Sequence, residues 1–351
     1  MQRNAPGAPD LLGLRHVSRP HRDRAGGLGV ADASSTAPST APSTAWLFPG
    51  QGAQEVGMGR DLYEAYPEAR EIFEEADEAL GRSLSSVIFE GPDEVLRQTV
   101  NTQPGILVTS LAAWRAATAA GHEALNSDPV CTAGHSMGEY SALVAAGSLS
   151  VSEAVRLVAK RGELMQAAGE QNPGTLAAVL GMDEADVQEV CDEAGAEVCN
   201  LNATGQIVIG GAVPAVEQAA ALAEERGARR VVMLNVGGAF HTSLMSPASD
   251  AMAPIIAEAD VSDPTTPVIG NVEAAPLTTA DAVRTDLTAQ IRRPVRWEDT
   301  VKRMHEMGVQ RYVEMGPGKV LTGLVRTTLR PLKLPEMPAL VNINDRESLG
   351  G

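Results

Sequence analysis

Hydrophobic and polar positions alternate along this chain in two rhythms. Short apolar runs are closed by Gly or Pro, and longer stretches carry apolar residues at three- and four-residue spacing. Ala45-Trp46-Leu47-Phe48, broken by Pro49-Gly50, predicts a buried strand, and 128–133 predicts a second. Between them, 61–125 predicts helices: 67–80 is amphipathic, while 103–120 is mostly apolar and therefore buried. Gln103-Pro104 opens that second helix with proline in its first turn. The run 140–147 predicts a buried helix ended by Gly147, and 152–168 a helix capped by Ser150. Strands follow at 267–271 and 310–315, with helices at 281–291 and 297–306.

Residues 174–237 have a rhythm of their own. The pattern predicts a strand at 175–180, a helix at 184–194, strands at 197–202 and 206–210, a helix at 213–226 and a strand at 229–234. The order β-α-β-β-α-β is ferredoxin-like. The fold class expected is α/β. A hydrolase-like large domain with a mainly parallel sheet comprises 45–173 and 238–332, with a ferredoxin-like small domain inserted at 174–237. A cleft between the two would hold a site. Residues 1–44 are foreign in composition: Ser34 to Thr44 is low-complexity, which predicts a disordered leader. Its Arg/Ser bias without a sustained apolar core argues against a secretory signal. A misassigned start, an added leader or an organellar transit peptide all fit. The tail 333–351 shows no readable pattern.

Composition narrows the class. Apolar residues make up 44% of the chain, without a run long enough to cross a bilayer, so no membrane is expected. A net charge of −17 argues against nucleic acid as a partner. The three cysteines, Cys131, Cys191 and Cys199, lack CxxC spacing; neither a disulfide framework nor a zinc site is expected, which suits a cytoplasmic protein. The glycine-rich turn after Pro49 has no P-loop lysine and no dinucleotide fingerprint, so no cofactor is expected.

The chemistry centres on Ala133-Gly134-His135-Ser136-Met137-Gly138-Glu139-Tyr140. Its Gly-x-Ser-x-Gly core is a nucleophile-elbow pattern, with a strand before it and a helix after it. Gly134 and Gly138 let strand and helix approach closely around a strained serine. A helix starting just after Ser136 aims free N–H groups at an oxyanion. Of six histidines, His16 and His21 lie in the leader, and His122 and His305 sit at exposed helical positions. His135 precedes the serine, where the backbone turns its ring away from Oγ. His241 follows the apolar run Val231 to Val236 and the small residues Gly237-Gly238-Ala239, a strand end opening into a loop. It is the candidate base.

Five motifs occur here in one order: Phe48-Pro49-Gly50-Gln51-Gly52, residues 134–140, Arg161-Gly162-Glu163-Leu164-Met165-Gln166, Gly238-Ala239-Phe240-His241 and Val313-Glu314-Met315-Gly316-Pro317-Gly318. Together they closely resemble the malonyl-CoA:acyl carrier protein transacylases of fatty-acid synthesis and the related acyltransferase domains of polyketide synthases. The resemblance covers roughly 45–332. It implies that Ser136 is the nucleophile and His241 its base, and that the N–H groups of Gln51 and Met137 receive the oxyanion. It further implies a substrate-binding set of Arg161, Gln290, Asn202, Phe240 and His135. Arg161 would hold the free carboxylate of malonyl, which suits a guanidinium fork. A backbone carbonyl in the Gln290 segment would orient His241, so no triad aspartate is needed.

The activity implied is transfer of malonyl from coenzyme A to the phosphopantetheine thiol of acyl carrier protein through a seryl acyl-enzyme, with no metal and with a monomeric enzyme. Carrier proteins are acidic, so docking calls for local basic groups: Arg229 and Arg230, with Arg292, Arg293 and Lys319 across the cleft. A serine hydrolase or thioesterase shares the elbow but has no use for a buried cation. A trans-acting polyketide acyltransferase shares all the motifs. A non-catalytic docking module would not need to retain Ser136, His241 and Arg161 together.

Overall fold

The structure is a computed structural model that describes residues 42–350. Among the described residues ten strands form two sheets: β1 (Thr44–Phe48), β2 (Cys131–Gly134), β3 (Gly174–Leu180), β4 (Glu197–Ala203), β5 (Gln206–Ala212), β6 (Arg230–Leu234), β7 (Val268–Ile269), β8 (Pro276–Leu277), β9 (Arg311–Met315) and β10 (Ala339–Ile343). The first sheet runs β10-β9-β1-β2-β7-β8. All its pairs are parallel except β7 with β8. Every residue of β1 and β2 is buried, as expected of inner parallel strands covered by helices on both faces. Register does the positioning. Phe48 of β1 lies opposite Gly134 of β2, so the Pro49-Gly50-Gln51 turn and the serine elbow leave the same sheet edge side by side.

The second sheet runs β4-β5-β3-β6, antiparallel throughout, and its connections reproduce the ferredoxin-like order expected of 174–237. Helices Glu184–Ala194 and Val213–Glu225 cover one face and build a core of their own around Val187, Val190, Ile209 and Val216. The other face presents Leu176, Val208 and Leu234 toward the cavity described below. The main chain ties β4 to the turn after helix Ala280–Gln290: Leu201 N–H donates to Val295 O and Val295 N–H to Cys199 O, each at 2.9 Å.

Several expectations shift. The long buried helix spans Thr99–Ala119, so Pro104 lies inside it rather than at its opening. The start is set by side chains: Asn101 Nδ2 and Thr102 Oγ1 donate to the carbonyls of Val95 and Leu96, tying the first turn to the preceding helix. The Val100 carbonyl, which proline cannot serve, accepts from Arg82 Nη2 at 3.4 Å. Helix Ser246–Glu258 is an element that the sequence pattern did not predict. The patternless tail is corrected too: its residues Ala339–Ile343 are β10, paired in parallel with β9 at the edge of the large sheet. The leader assigned to 1–44 lies outside the described residues except for 42–44, where Thr44 already belongs to β1. Among the described residues no helix is long and apolar enough to cross a membrane, and no cluster of His, Cys, Asp and Glu could hold a metal.

Candidate active site

The elbow is built from three close approaches. A Cβ on Gly134 would lie 2.0 Å from the main chain of Gly138, one on Gly138 would lie 2.3 Å from Phe48 O, and one on Gly50 would lie 2.5 Å from His135 O. Only glycine fits these positions. Ser136 between them is left-handed, with φ of 52°. Such strain persists only where the surroundings hold it. They do: Ser136 N–H donates to Asn271 Oδ1 at 2.7 Å, and Ser136 O accepts from Gln290 Nε2 at 2.9 Å. Helix Gly138–Ala145 begins at once, with Met137 as its N-cap. Among the described residues the N–H groups of Gln51 and Met137 donate to no protein acceptor, whereas that of Ser136 is taken by Asn271.

His241 also sits at a left-handed φ, 64°, where the chain turns out of the small sheet. Its Nε2 lies 2.8 Å from Ser136 Oγ, and its Nδ1 lies 2.8 Å from the main-chain oxygen of Gln290. A carbonyl can only accept, so Nδ1 carries the proton and Nε2 is free to take one from Oγ. Burial and the nearby Arg161 push the imidazole down to about 3, so it stays neutral at physiological pH.

Arg161 is the third member. Helix Val151–Gln171, started by Ser150, whose side-chain oxygen accepts from Glu153 N–H, carries it into the core with no exposed surface. Its partners are neutral: Nη1 donates to Gln103 Oε1 at 2.7 Å, and Nη2 to Ser136 Oγ at 3.0 Å and Gln290 Oε1 at 2.9 Å. Nε donates to nothing among the described residues. Burial lowers its pKa, and the nearby Tyr140 and Glu139, neither in direct contact with the guanidinium, offset this only in part.

These groups open on a cavity of about 630 Å³, lined among others by Gln51, His135, Met137, Phe240 and Asn202. His135 turns away from Oγ as expected, and its Nε2 pairs with Asn202 Oδ1 at 2.8 Å across the two sheets. All nine residues singled out from sequence therefore converge on one cleft or its immediate wall. The sequence reading missed Gln103, Asn271 and the carboxyls behind Gln290. Gln103 stood in view beside Pro104, and Asn271 in the polar turn after β7, but only their contacts reveal what they hold. The basic set divides: Arg292 and Arg293 face Asp250 and Glu273 at 3.8 Å, while Arg229 and Arg230, where β6 begins, are exposed.

The acyl transferase domain family matches residues 45–347. The malonyl CoA-acyl carrier protein transacylase of Bacillus subtilis (strain 168) is 46% identical over 294 residues, covering 82% of this chain and 91% of that protein. Its namesake from Escherichia coli (strain K12) is 43% identical over 286 residues, covering 80% and 91%. Among solved structures, an acyl carrier protein S-malonyltransferase from Vibrio cholerae aligns with a TM-score of 0.82 at 39% identity, covering 88% of this chain and 99% of that one. A type II polyketide acyl carrier protein in complex with its malonyl-transacylase gives 0.82 at 38%, covering 88% and 97%. Likeness of this extent reaches far beyond the elbow motif, through both sheets and the segments that carry the guanidinium and the base; the chain is an enzyme of the acyl transferase family, among the malonyl CoA-acyl carrier protein transacylases.

Proposed function

We propose that this enzyme moves malonyl from coenzyme A to the phosphopantetheine thiol of acyl carrier protein, supplying extender units for fatty-acid synthesis. The observation that carries this is Arg161, a fully buried guanidinium with only neutral partners, whose Nη2 lies 3.0 Å from Ser136 Oγ. A cation held dry beside a nucleophile calls for an acyl group that brings its own negative charge. Malonyl does, through the carboxylate that acetyl lacks.

Ser136 Oγ attacks the thioester carbonyl carbon as His241 Nε2 takes its proton, and the carbonyl oxygen becomes an oxyanion received by the N–H groups of Gln51 and Met137. The C–S bond then breaks, and His241 returns the proton to the coenzyme A sulfur. Carrier thiol reverses the sequence: His241 takes its proton, sulfur attacks the seryl ester, and Ser136 Oγ leaves with the proton. Arg161 contributes electrostatically as well as sterically. While it is unpaired, its charge helps keep His241 neutral; a bound carboxylate offsets that charge and strengthens the base just when substrate is present. Phe240, buried before the histidine on the cavity wall, limits room beside the acyl α-carbon and disfavours methylmalonyl.

Residues 174–237 serve as a small domain closing over the larger one, and the enzyme works as a cytoplasmic monomer. Intact mass after mixing with malonyl-CoA tests the reading. A malonyl adduct should form on the wild type and not on Ser136→Ala, followed by its discharge to carrier protein. An adduct that only water removes would make the chain a hydrolase, and an adduct on Ser136→Ala would put the nucleophile elsewhere.

A further inference from the structure

Behind the elbow lie two carboxyls that the transfer chemistry does not use. Glu139, on helix Gly138–Ala145, is fully buried, and Asp286, on helix Ala280–Gln290, is 7% exposed. Their side chains meet within hydrogen-bonding contact. They also take consecutive main-chain donors: Asn271 N–H reaches Glu139 Oε2 at 3.1 Å, and Val272 N–H reaches Asp286 Oδ1 at 3.3 Å. Gly270 makes room for this, since a Cβ there would stand 2.7 Å from Asp286 Oδ1. Glu139 Oε2 accepts a second bond from Gln290 Nε2 at 2.9 Å. One oxygen on each carboxyl, Glu139 Oε1 and Asp286 Oδ2, remains buried without a donor among the described residues. Two carboxylates cannot serve each other, because both only accept; a single proton turns one orphan into a donor and satisfies both.

We propose that Glu139 and Asp286 form an acid–carboxylate pair holding one proton, and that this pair is the positioning unit of the nucleophile. Its leverage lies in what it holds. Asn271, whose main chain rests on Glu139, presents Oδ1 to Ser136 N–H and Nδ2 to Gly134 O, both at 2.7 Å. Gln290, whose amide rests on Glu139, presents Nε2 to Ser136 O and Oε1 to Arg161 Nη2, both at 2.9 Å. The left-handed serine is thus gripped on its N–H and its carbonyl from one buried carboxyl, and the same grip aims the guanidinium.

Proton loss would undo it. Burial first, then the neighbouring Asp286, raises the Glu139 pKa well above its usual range, and burial raises that of Asp286 as well. The titratable groups facing the pair are Arg161 from helix Val151–Gln171, Tyr140 beside Glu139, and Glu273 from the turn after β7. The folded value lies above the unfolded one, so the pair's stabilising effect is complete at acid pH and disappears as pH rises through the folded value. There two buried anions repel, and the grip on Ser136 loosens.

The proposal rests on Ser136 as the nucleophile, so its test has one arm that needs no turnover. Acyl-enzyme formation from malonyl-CoA is timed by rapid quench and intact mass from neutral to alkaline pH, for wild type, Asp286→Asn and Asp286→Ala. The alanine variant strands Glu139 Oε1 and should lose on the order of 10–10²-fold in the acylation rate, with less change in KM. Asparagine supplies a fixed N–H donor at the same charge as the singly protonated pair; it should restore the rate and abolish the alkaline decline seen in wild type. In the second arm, the infrared difference between wild type and Asp286→Asn at neutral pH should show the carbonyl stretch of a protonated carboxyl. Glu314, also buried with a raised pKa, cancels in that difference. Alanine acylating at the wild-type rate, an alkaline profile shared by wild type and asparagine, or no carboxyl band would each overturn the pair. Failure of wild type to form any adduct would overturn the nucleophile reading instead, and the infrared arm would still decide the proton.

Discussion

The two sheets contribute to one cleft in opposite ways. β1 and β2 are buried along their whole length, and the chemistry leaves them at a single edge: Gln51 after one strand, Ser136 after the other. β6 of the small sheet has no fully buried residue, and the face it shares with β3 and β5 lines the cavity with Leu234, Leu176 and Val208. The parallel sheet therefore fixes the reacting groups from a dry interior, where a small displacement costs rate steeply. The antiparallel sheet offers a softer wall, suited to a long flexible thiol arm and to a partner protein. His241, which follows the second sheet, takes its geometry from the carbonyl of Gln290 at the end of helix Ala280–Gln290.

If this division holds, substitutions on the large-sheet side should act on chemistry, and those on the small-sheet side on recognition. The largest effect belongs to Ser136→Ala, which should abolish the malonyl adduct. His241→Ala should follow, losing transfer by about 10²–10⁴-fold or more. Either variant retaining a wild-type burst would dissolve the contrast. Arg161→Ala comes next. Leaving the malonyl carboxylate unpaired should lower kcat/KM by about 10²–10³-fold. Acetyl transfer should stay level or improve, because a buried unpaired guanidinium is relieved. Equal losses on both substrates would make Arg161 structural.

The pH profile sharpens the same side. The neutral form of His241 is the active base, and its folded value of about 3 lies below the ordinary value of 6.5. Acylation should therefore lack an acid limb near 6.5 and hold level into mildly acid buffer. Stability has a matching sign. Below 6.5 the unfolded chain binds a proton that folded His241 refuses, so this contribution is lost as pH falls. A rate that halves near 6.5 would mean that His241 is solvated in the working enzyme. On the small-sheet side, Arg229→Glu with Arg230→Glu should raise KM for carrier several-fold without touching KM for malonyl-CoA, and wild-type KM for carrier should rise with salt. An unchanged carrier KM would move docking to another face. The smallest effect expected is Ser150→Ala, which removes the cap of the Arg161 helix and should cost about 1 kcal/mol of stability with kinetics intact.

Much of this was legible in the chain alone, for identifiable reasons. Short apolar runs closed by Gly-Pro or Pro-Gly marked the buried strands, because the pattern of a fully buried parallel strand is local. The insert could be read because its helix 184–194 and hairpin strands have strong local periodicity. The elbow glycines and His241 stood in motifs whose residue types have few other uses. Elements whose stability comes from distant partners stayed hidden. β10 is five residues long and exists by pairing with β9. The helix start at Thr99 depends on the carbonyls of Val95 and Leu96, so a proline rule misplaced it.

What the amino-acid sequence determined by itself is the kind of chemistry: a serine that must sit in a strained turn, a histidine at a strand end, and an arginine on an apolar helix. Tertiary structure alone decided how these are held. Asn271, Gln290 and the Glu139–Asp286 contact come from segments more than 130 residues apart, and their roles are set by hydrogen bonds that no local pattern encodes. Polar side chains acquire such roles only in the dry interior, where each donor and acceptor must find a partner and the fold dictates which one is in reach.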